Sequence, residues 1–453
     1  MAGLVWPLLG IAGMVAAQAP AGGPLFEYLA RAEPAYRWDQ IGNDTTPAGK
    51  IYTFELRSQT WRGGDWTHQL RVYEPAELPY PRLMLLMIAG GRVGGTVRPS
   101  DHEQGFQLAR ACGARVAVLP QVPNQPLLGD RYEDDLIAET FVNYLKTQEP
   151  DWPLLFPMVK SAVKAMDALE AWARERGVEL DGFVVTGASK RGWTTWLTGA
   201  VDGRVKAIAP MVIPTLNMKA QAAHQRDSWG QYSEQIEDYT RRGLTEKFDD
   251  PVGRQLWKMV DPYSYLDRIR VPVLQINGTN DRYWTLDSVN LFWEAIRGPR
   301  YLCLLPNAGH GLEQNRAWAI STLGGFFRHI ATGAAWPKLE FRAEDGPAGI
   351  ALTFGADQVP RAVRIWVASS DSRDFRESRW AVLQEVAIPA GAAELRPYVH
   401  RMSLLPDRYT AAFVEFVYEQ DGLECHLATP VVIARGNQII RPRSVGDEEP
   451  GRR

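Results

Sequence analysis

The stretch DGFVVTGASKRGWTTWLT, residues 181–198, switches hydrophobic period around a serine. Phe183, Val184 and Val185 are aromatic or β-branched and predict a buried strand. Gly187 opens a turn, and from Arg191 onward Trp193, Trp196 and Leu197 fall at helical spacing. A strand that turns sharply into a helix with serine at the apex is a nucleophile elbow. It would expose the Ser189 hydroxyl above the sheet edge, with unpaired helix N–H groups behind it. The pattern departs from the usual G-x-S-x-G. Gly187 fills the first small position, Arg191 occupies the second, and Gly192 comes one residue late. Read alone, the segment also fits a glycine turn in which Ser189 merely caps a helix.

Downstream residues separate the two readings. The apolar run VPVLQI (271–276) leads into the turn-forming Asn277–Asp281, and RYLCLL (300–305) leads into Pro306-Asn307-Ala308-Gly309-His310-Gly311. Residues 286–297 between them read as an amphipathic helix. Asp281 and His310 therefore each follow a strand, one crossover apart, and both come after Ser189. In open α/β sheets the site lies outside the carboxyl ends of the strands, so all three residues are expected at one edge. The chemistry needs these types. A serine hydroxyl becomes a nucleophile when an imidazole takes its proton, and a carboxylate fixes the tautomer of that imidazole. Asp287 is a rival acid but opens the following helix, where the dipole favours a negative charge. His224 is a rival base but lies outside any strand-end loop. For the oxyanion, the Lys190 N–H is one expected donor. The loop after the strand LMLLMI (83–88), which contains Gly90, Gly91, Gly94 and Gly95, supplies the other.

The chain has 453 residues and a formal net charge of −3, so it is long enough for two domains and shows no basic patch for nucleic acid. Three widely separated cysteines fit neither a disulfide framework nor a metal site. Residues 1–21 are apolar, then rich in small residues, and read as an export leader; this places the protein in the periplasm or outside the cell. No segment predicts a membrane span.

From residue 22 strands and helices alternate, beginning with a hairpin of IYTFELRSQ and THQLRVYEP. This predicts a mostly parallel sheet covered on both faces, an α/β-hydrolase fold over 22–333. Glu133, Asp134 and Asp135 read as the acidic first turn of a helix. Residues 214–262 are polar and helical and sit where a lid is inserted; their Trp229, Tyr232 and Tyr239 are expected mainly to pack the lid. After Ala334–Pro337 the sequence becomes short alternating strands at regular spacing. That predicts a small antiparallel β-sandwich, immunoglobulin-like, over 334–437. The polar residues 438–453 are expected to be disordered.

The blocks QVPNQPLL, EDDLIAETFVNYL, DWPLLFPMVKSAVKAMDAL, GASKRGWTTWLT, INGTNDRYW, PNAGHGL and DFRESRW resemble the PhoPQ-activated pathogenicity-related family over about residues 25–435. The resemblance implies secreted α/β-hydrolases with a C-terminal β-domain and makes Arg191 a family trait. It carries the triad onto Ser189, Asp281 and His310. The expected function is a serine hydrolase, an esterase working through an acyl-enzyme on a small-molecule ester without cofactor or metal. Arg191 and Trp284 are expected to meet the substrate, with a structural ion pair as the other role for Arg191. Eukaryotic relatives described as growth-repressing signals make a non-catalytic binding role the alternative. The oligomeric state is not set by the sequence.

Overall fold

The computed structural model describes residues 22–347 and 349–442, so the leader read at 1–21 and residues 443–453 lie outside it. One nine-stranded sheet carries the larger domain. Its spatial order is β1 (Arg37–Thr46), β2 (Gly49–Trp61), β3 (Gly64–Pro75), β5 (Val116–Leu119), β4 (Leu83–Ile88), β6 (Gly182–Ala188), β7 (Val205–Met211), β8 (Val273–Gly278) and β9 (Arg300–Leu305). The β1–β3 meander is antiparallel and joins β5 antiparallel, whereas the strands from β5 to β9 run parallel. This is the α/β-hydrolase fold. The unbroken apolar run of β4 has its cause here. Met84, Leu85 and Leu86 are wholly buried, because a central strand is covered on both faces.

The helices are α1 (Pro24–Ala30), α2 (Pro99–Cys112), α3 (Glu133–Thr147), α4 (Leu155–Glu175), α5 (Lys190–Val201) and α9 (Arg316–Thr332), with α6 (Met218–Trp229), α7 (Glu237–Thr240) and α8 (Pro251–Val260) in the 214–262 insertion. Among the described residues no helix is long and apolar enough to cross a membrane. The insertion is closed at its base by Asp261, which accepts backbone N–H bonds from Asn217 (3.2 Å), Met218 (2.7 Å) and Tyr263 (2.9 Å). Burial pushes this carboxyl up to about 6 against those three donors.

The second domain is an antiparallel β-sandwich. One sheet is β10 (Leu339–Gly346), β11 (Gly349–Ala356) and β14 (Leu395–Met402). The other is β13 (Ala381–Glu385), β12 (Ala362–Ser370), β15 (Tyr409–Gln420), β17 (Val432–Arg435) and β18 (Gln438–Ile440), with β16 (Leu423–Ala428) also paired to β15. Phe354 and Phe416 meet edge-to-face at 6.0 Å between the sheets. Strand β16 lies against α9, where the His426 N–H donates to Thr322 Oγ1 (2.9 Å) and Ser321 Oγ to the Glu424 carbonyl (2.6 Å), so the two domains share a continuous core.

Three local expectations change. The helix read at 286–297 is two 3-10 turns, Ser288–Leu291 and Trp293–Ala295, broken where Phe292 adopts φ −145°. Ser, Val and Asn are weak helix formers, and Gly298-Pro299 ends the segment. Strand β1 has no apolar alternation to announce it, because it is an exposed edge strand. Residues 438–440, read as the start of the polar tail, form β18 by pairing with β17.

Candidate active site

Ser189 sits at φ 58°, ψ −127° between β6 and α5, a conformation non-glycine residues rarely adopt. Its side chain makes no capping bond to the helix, so the hydroxyl is not spent as an N-cap. A Cβ on Gly187 would lie 2.8 Å from the Arg191 carbonyl, and one on Gly192 would lie 2.5 Å from Ile213 Cγ2 and 2.9 Å from the Gly187 oxygen. The close approach that G-x-S-x-G usually supplies is therefore met here by Gly187 and the late Gly192. The Lys190 N–H belongs to the first turn of α5, where backbone donors have no intrahelical partner.

Asp281 follows β8 and His310 follows β9, as the strand-end loops required. His310 Nδ1 lies 2.8 Å from Asp281 Oδ2, and Asp281 Oδ1 accepts the Tyr283 N–H at 2.8 Å. The carboxylate is thus gripped on both oxygens. Among the described residues His310 Nε2 is buried without a hydrogen-bond partner, and no hydrogen bond joins it to Ser189. The Tyr283 ring stacks on the imidazole at 4.0 Å between centroids, and the same Tyr283 lines the pocket into which Ser189 faces. Burial, then the carboxylates of Asp134, Asp281 and Glu133, push the Tyr283 hydroxyl up to about 12, so it stays neutral.

That pocket is mostly apolar, with Trp193, Ile213, Met218, Ile236, Phe248, Trp257 and Trp284 in its walls. Trp284 stands where substrate contact was expected. Tyr239 of the insertion lines the pocket along with Phe248 and Trp257, whereas Trp229 packs under the Arg376 guanidinium at 4.2 Å. Gln221 gives its amide N–H groups to the carbonyls of Pro214 (2.9 Å), Leu216 (3.1 Å) and Ser288 (3.0 Å), and its buried Oε1 has no partner among the described residues. The indole nitrogens of Trp257 and Trp284 likewise have no partner among the described residues.

The acidic triplet does more than compensate a dipole. Glu133 binds Arg191 through two bonds of 2.6 Å, and Arg191 Nε donates to the Val122 carbonyl at 2.6 Å. Lys190 Nζ lies 3.0 Å from both Glu133 and Asp134. Asp134 also accepts from the Tyr239 hydroxyl at 2.9 Å, and Asp135 pairs with Arg131, Arg241 and Arg242. The N-terminus of α3 therefore ties the elbow to the insertion. Every guanidinium nitrogen of Arg191 is engaged within the protein, which is the structural ion pair rather than a free cation for substrate. Gly90 packs against that guanidinium: a Cβ there would fall 2.6 Å from Arg191 Nη2. Gly90 and Gly91 do not line the Ser189 pocket. Their carbonyls accept from the Gln121 N–H and Gln125 Nε2, both at 2.9 Å, which folds the loop over a separate hollow that also holds Arg71.

Burial alone would raise the Glu133 carboxyl from its ordinary 4.5, but the Arg191 bonds, the Lys190 charge and Gln125 outweigh it and hold it at about 2. Glu133→Gln should destabilise the fold by about 2–3 kcal/mol at pH 7. That is below the roughly 3–5 kcal/mol of a broken buried pair, because Asp134 still faces Lys190 and the Glu133 side chain is 38% exposed and screened. With a folded value below the unfolded one, this stability is complete above pH 4.5 and disappears as the pH falls toward 2. Thermal melts of the two proteins should therefore differ at neutral pH and converge across that window.

Comparison with known proteins places the chain. The profile of the PhoPQ-activated pathogenicity-related protein family matches residues 25–376. The chain belongs to this family. Autocrine proliferation repressor protein A of Dictyostelium discoideum is 33% identical over 375 residues, spanning 78% of this chain and 76% of its own. Among solved structures the PhoPQ-related chain is similar to acetyl xylan esterase 1 from Thermoanaerobacterium sp., with TM-score 0.45, 15% identity and coverage of 70% of this chain and 96% of that one. It is also similar to the glucuronoyl esterase from Solibacter usitatus, with TM-score 0.42, 12% identity and coverage of 68% and 91%.

The rivals to the expected triad pair with each other in this PhoPQ-related protein. His224 Nε2 lies 2.6 Å from Asp287 Oδ1, both side chains are 2% exposed, and Arg373 Nη2 approaches His224 Nδ1 at 3.3 Å. The pair is a buried strut between the insertion and the 3-10 turns. Tyr283 and Gln221 are site residues that the sequence did not single out, and Asp134 reads there only as part of an acidic first turn. Tyr283 alone had a local signal, standing two residues after the acid.

Proposed function

We propose that this protein is a serine carboxylic-ester hydrolase that works through an acyl-enzyme on Ser189. One observation carries the reading. A part-buried imidazole, gripped by Asp281 through Nδ1, has a buried Nε2 with no partner among the described residues, and the Tyr283 stacked on it shares a pocket with the uncapped hydroxyl of a strained serine. Ser189 Oγ attacks the ester carbonyl carbon while His310 Nε2 takes its proton, and the negative charge collects on the former carbonyl oxygen. The Lys190 N–H, in the first turn of α5, stabilises that oxygen. Collapse breaks the bond to the alkoxy oxygen, which leaves with the proton from His310. Water then repeats the sequence on the acyl-enzyme, releasing acid and free serine. The open Ser189–His310 contact closes when substrate fills the pocket, as catalytic hydrogen bonds do in the Michaelis complex.

The pocket's chemistry narrows the acyl group. Lys190 and Arg191 are already neutralised by Glu133 and Asp134, so a substrate carboxylate finds no unpaired cation there, whereas aromatic and aliphatic walls favour an apolar, uncharged acyl group. Esters of 4-nitrophenol test this. A pre-steady-state burst of nitrophenolate is expected. Benzoyl or medium-chain acyl groups should exceed acetyl in kcat/KM by about 10–100-fold, the discrimination one or two well-filled apolar contacts supply. No burst and no turnover with any acyl group, from protein with an intact fold, would overturn the reading. That outcome would favour a signalling or binding role on a hydrolase scaffold, the role suggested by the name of the Dictyostelium relative and by the open Ser189–His310 contact. We place the site of action in the periplasm or outside the cell on the strength of the leader read at residues 1–21, and amino-terminal sequencing of exported protein tests that placement.

A further inference from the structure

We propose that the β-sandwich is part of the catalytic apparatus: its segment 373–380 holds the Asp281 and His310 loops in register, and Asn280 and Asn307 are the positioning residues through which it acts. The proposal rests on the hydrolase reading above. Asn280 immediately precedes Asp281, and its Nδ2 donates to the carbonyls of Ser378 (2.7 Å) and Arg376 (3.1 Å). Asn307 stands three residues before His310. Its Nδ2 donates to the Trp380 carbonyl (3.2 Å) and its Oδ1 accepts the Trp380 N–H (2.8 Å), so one side chain grips one backbone unit at both ends. The two loops are also joined to each other. Thr279 Oγ1 accepts the Asn307 N–H (2.9 Å) and donates to Asn280 Oδ1 (2.8 Å), while the Asn280 N–H donates to the Ala308 carbonyl (2.9 Å).

The far side of this lattice is buried in the sandwich. Phe375 and Trp380 are each 2% exposed, and Trp380 packs on Phe413 of the sandwich core at 5.1 Å. The same segment reaches the insertion, where Arg376 pairs with Glu234 at 2.9 Å, and Arg282, next to Asp281, is bound to Glu377. Simple docking of the domains does not account for these bonds, because α9 against β16 already supplies a buried apolar joint. What the segment adds is a fixed position for the backbone on either side of the acid and the base. A shift of about 1 Å in such a group costs on the order of a hundredfold in rate.

The test uses the full chain with Asn280→Ala, Asn307→Ala and the double substitution. kcat for a 4-nitrophenyl ester is expected to fall about a hundredfold in the double variant, with KM within about twofold and the melting temperature within about 4 °C of wild type. A second readout is independent of turnover. The low-field proton NMR resonance of the His310 Nδ1–H, present in wild type through its bond to Asp281, should broaden or vanish in the same variants. If Asn280→Ala does not fold, Asn307→Ala, which removes two bonds at the rim, decides the matter. Variants with wild-type kcat and an unchanged low-field resonance would overturn the proposal. Wild-type protein that turns over no ester but loses the resonance on substitution would instead sink the hydrolase reading and leave the positioning intact.

Discussion

Replacing Ser189 by glycine is expected to abolish ester hydrolysis and, in the same protein, to make the fold more stable. Loss of the nucleophile should lower kcat on the order of 10⁵–10⁶-fold, leaving only what the oxyanion donors and binding supply. The gain in stability comes from the backbone. Ser189 at φ 58°, ψ −127° stores strain of order 1–3 kcal/mol, which glycine relieves, while its extra freedom in the unfolded chain takes back roughly 0.5–1 kcal/mol. A net gain of about 1 kcal/mol should raise the melting temperature by about 1–2 °C in a chain of this size. Ser189→Ala separates the two effects: equally inactive, yet without the gain, because alanine keeps the Cβ that the conformation opposes. A glycine variant less stable than the alanine variant would mean that the turn is unstrained and the elbow assignment wrong.

Asp281→Asn should lower kcat by about 10⁴-fold while leaving KM and the fold nearly unchanged. The reason lies in the two acceptors of Asp281, one used by the Tyr283 N–H and the other by His310 Nδ1. An asparagine keeps the first bond with its oxygen and turns its NH₂ toward the imidazole. His310 then carries its proton on Nε2, the atom that must take the proton from Ser189, and the base is lost without any change in shape. Steady-state kinetics with thermal denaturation as the control measures this. A loss smaller than about tenfold would remove Asp281 from the mechanism.

What the sequence disclosed and what it concealed divide along range. The serine elbow, the acid after β8 and the histidine after β9 were legible because each depends on a strand ending in turn residues, a local signal. The strands of the sandwich were legible through alternation for the same reason. Glu133 gave no sign that it clamps Arg191 and Lys190 some 58 and 57 residues away, because only the tertiary fold brings α3 to the elbow. His224 and Asp287 each looked like a weak rival to a triad member, and their mutual bond across 63 residues explains both. The glycine loop was legible as a close-approach element, but its neighbour is the Arg191 guanidinium and not the Ser189 pocket. DFRESRW stood out as a block without a role, since its partners Asn280 and Asn307 belong to the other domain.

Labelling with a fluorophosphonate probe, followed by peptide mass spectrometry, tests most directly whether Ser189 is an activated nucleophile. A single adduct is expected, located on Ser189, formed far more slowly in His310→Ala and absent from Ser189→Ala. Folded wild-type protein that takes up no probe, or that carries the adduct on another residue, would contradict the account.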